Sequence, residues 1–318
     1  MNFKFTPHNR KVIQLSGSDK HTLLQGLITN NVNQKGCIYT AMLTPQGRYL
    51  FDFFIYPFGE DLPHSRHPEL VSGSRFLKNG ILKRVQDDNC GSGCLLIDIA
   101  TEQAADFTRK LQMYKLRSQV TITDVSEQYQ VVLSDAPLVD PRLRGDDSRG
   151  DSSNSILPSS PRKRGSTSFQ DPRLRQLGYR SILPHTSIEP HGADYYETLR
   201  ITNAIPVPGK ELISEKSIIL ECGFDELHAM DWQKGCYIGQ ELMARTKHRG
   251  GIHKRLYSVK FTGKTPEFMT PVMAGDKEVG TIRSTYDGLG IAMIRVEAVG
   301  ELLTVNGHPC VIANATEQ

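Results

Sequence analysis

The sequence predicts an α+β fold followed by a separate all-β domain at the C-terminal end. Over the first 252 residues, segments with helical spacing alternate with apolar runs of strand length. From residue 253 onward, short apolar runs are separated by glycine-containing turns, a pattern typical of a small barrel or sandwich. A chain of 318 residues is also long enough for two or three hydrophobic cores. We therefore predict an α+β region over 1–252 and a C-terminal β domain over 253–318.

The α+β region is predicted to open with a strand, a helix and a strand pair. Residues 12–15 have the apolar character of a short strand, and residues 18–27 have helical spacing with Ser18 as the N-cap. Residues 37–43 and 49–56 are apolar runs on either side of the turn sequence TPQG, which predicts a hairpin. The later predicted elements are strands at 94–99, 120–122 and 130–133 and helices at 104–116, at 195–203 and from about residue 239 onward.

Six short strands are predicted in the C-terminal domain. Their regular spacing and intervening turns favour a closed or sandwiched sheet over a further α+β unit. The predicted strands lie at 256–261, 271–273, 278–284, 289–296, 302–305 and 310–312.

Two segments are predicted to be disordered insertions. The pentapeptide DPRLR at 140–144 recurs at 171–175, and eight serines lie between the copies. Removal of residues 145–175 rejoins the pentapeptide directly to QLGYR, and the removed segment is poor in residues that could form a core. A second candidate insertion covers about 62–89, between one predicted strand and the next.

Charge and hydropathy exclude several classes of protein. The net charge is +3, but the two candidate insertions each carry +2, so the remainder lies near −1 and does not indicate direct binding of nucleic acid. The longest apolar runs, such as 49–58, fall well short of the ~20 residues needed to cross a bilayer, so no membrane association is expected. With no signal sequence visible and six scattered cysteines, we expect a cytoplasmic protein with reduced thiols.

The segment KGCYIGQE at 234–241 carries the most chemical information. Gly235 and Gly239 allow the backbone to turn tightly around Cys236, and a helix beginning near Gly239 would direct its positive end toward the thiol. Lys234, two residues away, is a second candidate cause of a lowered thiol pKa. A thiolate can attack an electrophile or bind soft iron or copper. The alternative for such a cysteine is a small buried residue without chemistry.

The segment KGCYIGQE closely resembles the signature of the folate-binding YgfZ family. The residues after it, ART, HRG and KRL, continue the resemblance. So do LQGLITN at 24–30, MLTPQGRYLFDF at 42–53, DPRLRQLGYR once the insertion is removed, and ETLRITNAIP at 197–206. The resemblance covers essentially all of the chain apart from the two candidate insertions.

This resemblance implies a fold and a function. The family is similar to the aminomethyltransferase of the glycine cleavage system, which implies two ferredoxin-like lobes and a small C-terminal β-barrel around a folate channel. It also implies binding of tetrahydrofolate or a derivative. The implied role is assistance in the assembly or repair of iron–sulfur clusters, particularly [4Fe–4S] clusters. The expected partners are client enzymes, including enzymes that modify tRNA, and the cluster assembly machinery.

The resemblance also nominates site residues. Cys236 is expected to be the reactive or cluster-contacting thiol, with Lys234 as its electrostatic partner. The residues nominated for the folate and the surrounding loop are Tyr237, Gly239, Gln240, Glu241, Arg200, Arg245, Arg249, Asn30 and Asp52, with Gln46 as a further channel candidate. A guanidinium pairs well with a folate carboxylate, although each of the three arginines is as readily explained by a structural ion pair. No permanently bound metal is expected, because one thiolate cannot hold a cluster.

Three alternatives remain open at this point. One is a true one-carbon transferase, but Asp52 stands where the aminomethyltransferases have an acidic pair, so one acid has been lost. Another is a scaffold that binds client proteins and uses neither folate nor thiol. The last is a protein inactivated by its insertions.

Overall fold

The computed structural model describes residues 2–59, 93–138 and 167–313. Its strands are β1 Lys4–Phe5, β2 Arg10–Ser16, β3 Ile38–Leu43, β4 Tyr49–Phe58, β5 Cys94–Ala100, β6 Thr121–Asp124, β7 Tyr129–Ser134, β8 Thr167–Gln170, β9 Tyr179–Pro184, β10 Lys254–Phe261, β11 Pro271–Ala274, β12 Lys277–Tyr286, β13 Leu289–Arg295, β14 Leu303–Val305 and β15 His308–Ile312. The helices are α1 Lys20–Gln25, α2 Thr101–Lys115, α3 Ala193–Thr202 and α4 Gln240–Arg245. None of the helices in these ranges is long and apolar enough to span a membrane.

The first sheet is antiparallel throughout, with the strand order β3-β4-β5-β2-β6. Every residue of β3 and β5 is buried, which explains why these strands are mostly apolar. Side chains alternate between two cores because successive residues of a strand face opposite sides. Phe53 packs against Phe107 of α2 on one side, whereas Tyr39 and Phe54 face the second sheet.

The second sheet has the strand order β1-β7-β9-β8 and is also antiparallel. Buried charges connect the two sheets. Asp98 on β5 accepts hydrogen bonds from Arg10 on β2 and from Arg180 on β9. Burial alone would raise the pKa of Asp98, but Arg10 and Arg180 lower it below its usual value. The guanidinium of Arg180 also lies 3.7 Å from the centre of the Phe54 ring, so the interface combines ion pairing with cation–π stacking.

The C-terminal domain is a closed barrel with the strand order β10-β13-β12-β11-β14-β15, and β15 pairs with β10 to complete it. Its interior is filled by a separate apolar cluster that includes Val272, Ile282 and Ile294. The prediction of an α+β region followed by a small β-barrel is confirmed.

The structure differs from the sequence predictions at the start of α1. Asp19, not Ser18, occupies the N-cap position. The Ser18 hydroxyl donates to the Asp19 carboxylate, whose other oxygen accepts a hydrogen bond from the Gln119 backbone N–H. The serine is therefore used beside the helix start and does not cap it. Strands β1, β8 and β9 were not predicted.

The candidate insertions are only partly within the described residues. The one at 62–89, and residues 145–166 of the other, lie outside them. Residues 167–175 contradict the prediction that the second insertion extends to residue 175. Strand β8 pairs with β9, and Asp171 and Arg173 are buried and joined by two side-chain hydrogen bonds. The second copy of DPRLR therefore belongs to the folded interface, where the charges of Asp171 and Arg173 neutralise each other.

We expect Asp98→Asn to destabilise the protein by about 3–5 kcal/mol at pH 7, because the buried guanidinium of Arg180 and the partly buried one of Arg10 would lose their shared carboxylate. Since the folded-state pKa of Asp98 is lowered, its contribution is present above the unfolded pKa and is lost as the pH falls through the folded pKa. Urea unfolding of both proteins as a function of pH would measure this.

Asp106→Asn is the control, because Asp106 forms an exposed pair with Arg109 and its loss should change stability by less than about 1 kcal/mol. Equal effects of the two substitutions would contradict the structural role of Asp98.

Candidate functional site

The loop that carries Cys236 rests on the turn between β3 and β4. Gly239 is the N-cap of α4 and has a φ of +83°, and a Cβ at this position would lie 2.6 Å from the Thr44 carbonyl oxygen. Gly47 in the turn also has a positive φ, and its Cα would be 3.1 Å from that Cβ. The two glycines thus permit a backbone approach that no other residue allows. This contact fixes one end of the loop against the first sheet.

Lys234 fixes the other end of the loop. Its ammonium group donates hydrogen bonds to the carbonyl oxygens of Gln25, Ile28 and Asn30 at 2.8, 2.6 and 2.9 Å. An ammonium has three N–H donors, so all of them are used. Burial lowers the pKa of Lys234 to about 8, and Asp231 partly opposes this shift.

The hydrogen bonds of Lys234 are directed to backbone carbonyl groups and not to the Cys236 thiol, and its role as the electrostatic partner of that thiol stays a prediction. Lys234 has no donor left for a thiolate, since carbonyl groups at the end of α1 and in the segment after it occupy all three. Its role is to hold the loop on the first sheet.

Tyr237 and Gln240 complete the loop locally. The Tyr237 backbone N–H donates to the Gln240 side-chain oxygen at 3.3 Å, and the Gln240 backbone N–H donates to the Tyr237 carbonyl at 3.2 Å. The Tyr237 ring is buried, which raises the pKa of its hydroxyl to about 12, and the Lys234 ammonium lies 5.0 Å from the ring centre. These two residues hold the loop together through their hydrogen bonds.

Cys236 itself is exposed between these two anchors. The neighbouring Gly235 has open space where a side chain would project. The other cysteines within the described residues are buried, and burial raises the thiol pKa of Cys310 to about 11. The buried cysteines are Cys37, Cys94, Cys222 and Cys310. Cys236 is therefore the accessible thiol of the described chain, although α4, with six residues, contributes little helix dipole.

A contact that the sequence did not reveal joins the residues before and after this loop. The Trp232 indole N–H donates to Asp225 at 2.7 Å, and Lys247 donates to the other oxygen of the same carboxylate at 2.9 Å. The Lys247 ammonium also lies 4.1 Å from the centre of the Trp232 ring. Burial alone would raise the pKa of Asp225, but these two hydrogen bonds lower it. Trp232 thus closes the base of the loop, which its position alone could not indicate.

Asp52 and Asn30 are enclosed by protein groups. The Asp52 carboxylate accepts hydrogen bonds from the hydroxyls of Tyr39 and Tyr49, and burial raises its pKa. The Asn30 amide donates to the carbonyls of Tyr39 and His228, and its oxygen accepts from Gln34 and from the backbone of residue 31. Both side chains are therefore committed to packing.

The nominated arginines do not converge with these residues. Arg200 is buried, donates two hydrogen bonds to Glu197 and one to the Ile205 carbonyl. It therefore forms a structural ion pair with Glu197. Arg245 is exposed and pairs with Glu241 one helical turn away. The Arg249 side chain lies outside the described part of the structure. No group of three or more histidine, cysteine or acidic side chains among the described residues could hold a metal ion.

Comparison with known proteins agrees with this architecture. Residues 253–316 match the family model of the CAF17 C-terminal β-barrel domain. The aminomethyltransferase T of the glycine cleavage system from Bartonella henselae has the same fold, with a TM-score of 0.68 at 11% identity over 99% of this chain and 85% of that chain. The predicted aminomethyltransferase-like fold is therefore confirmed.

The curated relatives are iron–sulfur cluster assembly factors. A Mycosarcoma maydis protein named as a mitochondrial IBA57 homolog is 30% identical over 80% of this chain and 56% of its own length. A Dictyostelium discoideum protein of the same name is 30% identical over 81% of this chain and 62% of its own length. The chain spans about half the length of the first fungal relatives, covering 56%, 54% and 54% of them.

These relatives overturn the prediction of a cytoplasmic protein. Each is named as mitochondrial. The prediction relied on the absence of a recognisable signal sequence, and the composition of the chain contains no positive indicator of the cytoplasm.

We expect Gly239→Ala to destabilise the protein by about 1–3 kcal/mol, because the added Cβ meets the Thr44 carbonyl at a backbone conformation disfavoured for alanine. Gly235→Ala is the matched control on the same loop and should change stability by less than about 0.5 kcal/mol, since its Cβ would meet open space. Urea unfolding would compare the two, and equal values would argue against the Gly239 contact.

Lys234→Met should destabilise the protein by about 1–3 kcal/mol, because three carbonyl groups at the end of α1 would lose their donor. It should also speed up backbone amide hydrogen exchange at residues 235–238, which hydrogen exchange with mass spectrometry would detect. Unchanged exchange in this loop would contradict its role as an anchor.

Proposed function

We propose that this protein assists the assembly or repair of iron–sulfur clusters, including [4Fe–4S] clusters, in client enzymes, with Cys236 as the cluster-contacting thiol. The observation that carries the proposal is the exposure of Cys236 between two rigid anchors, while the other described cysteines are buried. The curated relatives, which are named as cluster assembly factors, support the same role. The KGCYIGQE segment supports a YgfZ-like member of this group.

The geometry suits transient contact with an iron–sulfur cluster that the protein passes on and does not keep. One exposed thiolate supplies a single soft ligand, so the remaining ligands must come from a client or from the assembly machinery. The loop is held at Lys234 and Gly239, and Cys236 therefore projects from a defined position. A defined position favours transfer between proteins, because little conformational freedom is lost on docking. The clients we propose include enzymes that modify tRNA.

We assign tetrahydrofolate no step in this function. A folate needs a flat apolar slot with positive charge at one end. Arg200 and Asp52 are instead saturated by protein partners, and Arg245 pairs with Glu241 on the surface. The nominated residues therefore do not fit the cofactor as a set. The enclosure of Asp52 by two tyrosine hydroxyls likewise disfavours aminomethyl transfer, which needs an acid that can reach the substrate amine.

Complementation of a strain that lacks its own family member would test the proposal. We expect Cys236→Ala and Cys236→Ser to lower the activity of a [4Fe–4S] client to the level of the uncomplemented strain, because alanine has no ligand atom and a serine hydroxyl is a harder and weaker ligand for cluster iron than a thiolate. Gln233→Ala is the control on the same loop, since Gln233 is exposed, and should rescue like the wild type.

Purified Cys236→Ser should unfold at the same urea concentration as the wild type, which would separate loss of the thiol from loss of the fold. Full rescue by Cys236→Ala would contradict the proposal and favour a client-binding scaffold that uses no thiol.

A further inference from the structure

The C-terminal end of α2 carries two exposed apolar side chains. Met113, in the last turn of the helix, is 68% exposed, and Leu116, just after it, is 87% exposed. They are three residues apart, so they lie close together on the surface, and we call them the α2 patch. The apolar face of α2 that packs on the first sheet is a different one, formed by Ala104, Phe107 and Leu111. Packing among the described residues therefore does not account for the α2 patch.

Leu116 occupies a backbone position that is usual for glycine. Its φ of +45° and ψ of −107° are close to those of the first central residue of a type II′ turn. The Ser118 backbone N–H donates to the Lys115 carbonyl at 2.7 Å, which closes this turn over residues 115–118. A leucine here is strained by its positive φ, and its side chain gains nothing from burial. The stability of the fold does not explain this leucine, whereas contact with another molecule would.

An open depression of about 840 Å³ lies beside the turn. Its lining residues are Asp19, Tyr114, Lys115, Leu116, Arg117 and Ser118. At protein–protein interfaces, apolar anchor side chains of one partner fill pockets on the other. The depression thus gives the α2 patch a concave side, where an apolar side chain of a partner would contact both Leu116 and the Tyr114 ring.

The charges around the depression favour an acidic partner. Lys110, Lys115 and Arg117 surround the α2 patch and form no ion pair within the described ranges. Asp19, the acidic side chain of the lining, already accepts hydrogen bonds from the preceding serine and from the Gln119 backbone N–H. The end of a helix adds a partial negative charge of roughly half a unit. A positive excess remains, and it is complementary to acidic side chains.

A protein segment matches this surface better than a membrane or a nucleic acid does. A helix that lies on a membrane needs an apolar face along its length, and the long apolar face of α2 is buried in the fold. A nucleic acid is held mainly through its phosphates, which would leave Met113 and Leu116 without partners. An acidic protein segment that also carries an apolar side chain uses both the cations and the α2 patch.

We propose that the end of α2 is a docking surface for a partner protein that presents acidic side chains beside an apolar one. The apolar side chain enters the depression and contacts Leu116 and Met113. The acidic side chains pair with Lys115 and Arg117. The surface does not depend on Cys236, and it stands whether or not the proposed function is correct.

Helix α1 connects this surface to the Cys236 loop. Asp19, the N-cap of α1, lines the depression, and Gln25, the last residue of α1, accepts a hydrogen bond from Lys234. A helix of six residues is about 9 Å long, so the depression and the anchor of the loop lie at opposite ends of one short helix. Under the proposed function, the docked partner is the protein that meets the Cys236 thiol, and this step alone rests on that function.

Three synthetic peptides separate the two parts of this recognition. A peptide of three Asp-Glu-Leu repeats carries both acidic and apolar side chains. Asp-Glu-Ser repeats carry the charge alone, and Asn-Gln-Leu repeats carry the leucines alone. Binding of each fluorescein-labelled peptide to the full chain would be measured by fluorescence anisotropy. We expect the Asp-Glu-Leu peptide to bind at least about tenfold more tightly than either of the others, because charge pairing adds to apolar burial.

The substitution Leu116→Gly distinguishes a docking role from a structural one. It should weaken binding of the Asp-Glu-Leu peptide at least about fivefold, because an apolar contact is lost. It should unfold at the same urea concentration as the wild type or at a higher one, because glycine adopts a positive φ without strain. Leu302→Gly is the matched control, since Leu302 is 92% exposed on the barrel domain, and should leave peptide binding unchanged.

Charge reversal locates the site. The double substitution Lys115→Glu and Arg117→Glu should weaken binding of the Asp-Glu-Leu peptide at least about tenfold without unfolding the protein, because neither side chain is buried. The double substitution Lys260→Glu and Lys264→Glu, on the exposed surface of the barrel domain, makes the same change in charge and should leave binding unchanged. Cys236→Ser should bind the peptide like the wild type, which separates this surface from the proposed function.

Four outcomes would overturn the proposal. These are the absence of Asp-Glu-Leu peptide binding to the wild type, equally tight binding of either other peptide, unchanged binding in Leu116→Gly, and equal loss of binding in both charge-reversed double variants. Vesicles of phosphatidylserine and phosphatidylcholine are the further probe. If the wild type bound them but not the peptide, and Leu116→Gly lost this binding, the surface would belong to a membrane and not to a partner protein.

Discussion

The buried ion pairs between the two sheets constrain the centre of this molecule. Asp98 and Arg180 come from different sheets, and each would be costly to bury without the other. Arg180 stacks on Phe54 and also contacts Asp171, so the pairing determines how β5, β9 and the segment after β8 sit relative to one another. The space between the sheets is filled by these side chains.

The Cys236 loop depends on the first sheet in a different way. Lys234 holds one end through carbonyl groups, and Gly239 holds the other through close backbone contact with the β3–β4 turn. Gln240 closes the loop locally. Each of these residue types has a structural explanation in this fold. Cys236 lies exposed among them, and the proposed function gives this cysteine a chemical role.

Much of the fold could be predicted from the sequence because its strands are apolar and separated by turns with clear signals. The six barrel strands and the β3–β4 hairpin are examples. Strand β8 was missed because only one of its four residues, Phe169, is apolar. The strand forms through its pairing with β9, which its own sequence does not indicate. In the site, Lys234 was placed beside Cys236 because the two are close in sequence. The direction of a side chain on an irregular loop depends on distant acceptors, here the end of α1, which spacing does not reveal.

The repeated pentapeptide shows a different limit on what the sequence can predict. Removal of residues 140–170 or of residues 145–175 leaves the same polypeptide, so the sequence cannot say which copy of DPRLR is the original. Asp171 and Arg173 of the second copy are buried at the interface, and the first copy lies outside the described residues. Because the duplicated edge carries its own aspartate and arginine, a segment of 31 residues could enter the chain here while the interface kept its full complement of charge. A chain that lengthened at this point would keep the electrostatic balance of its core.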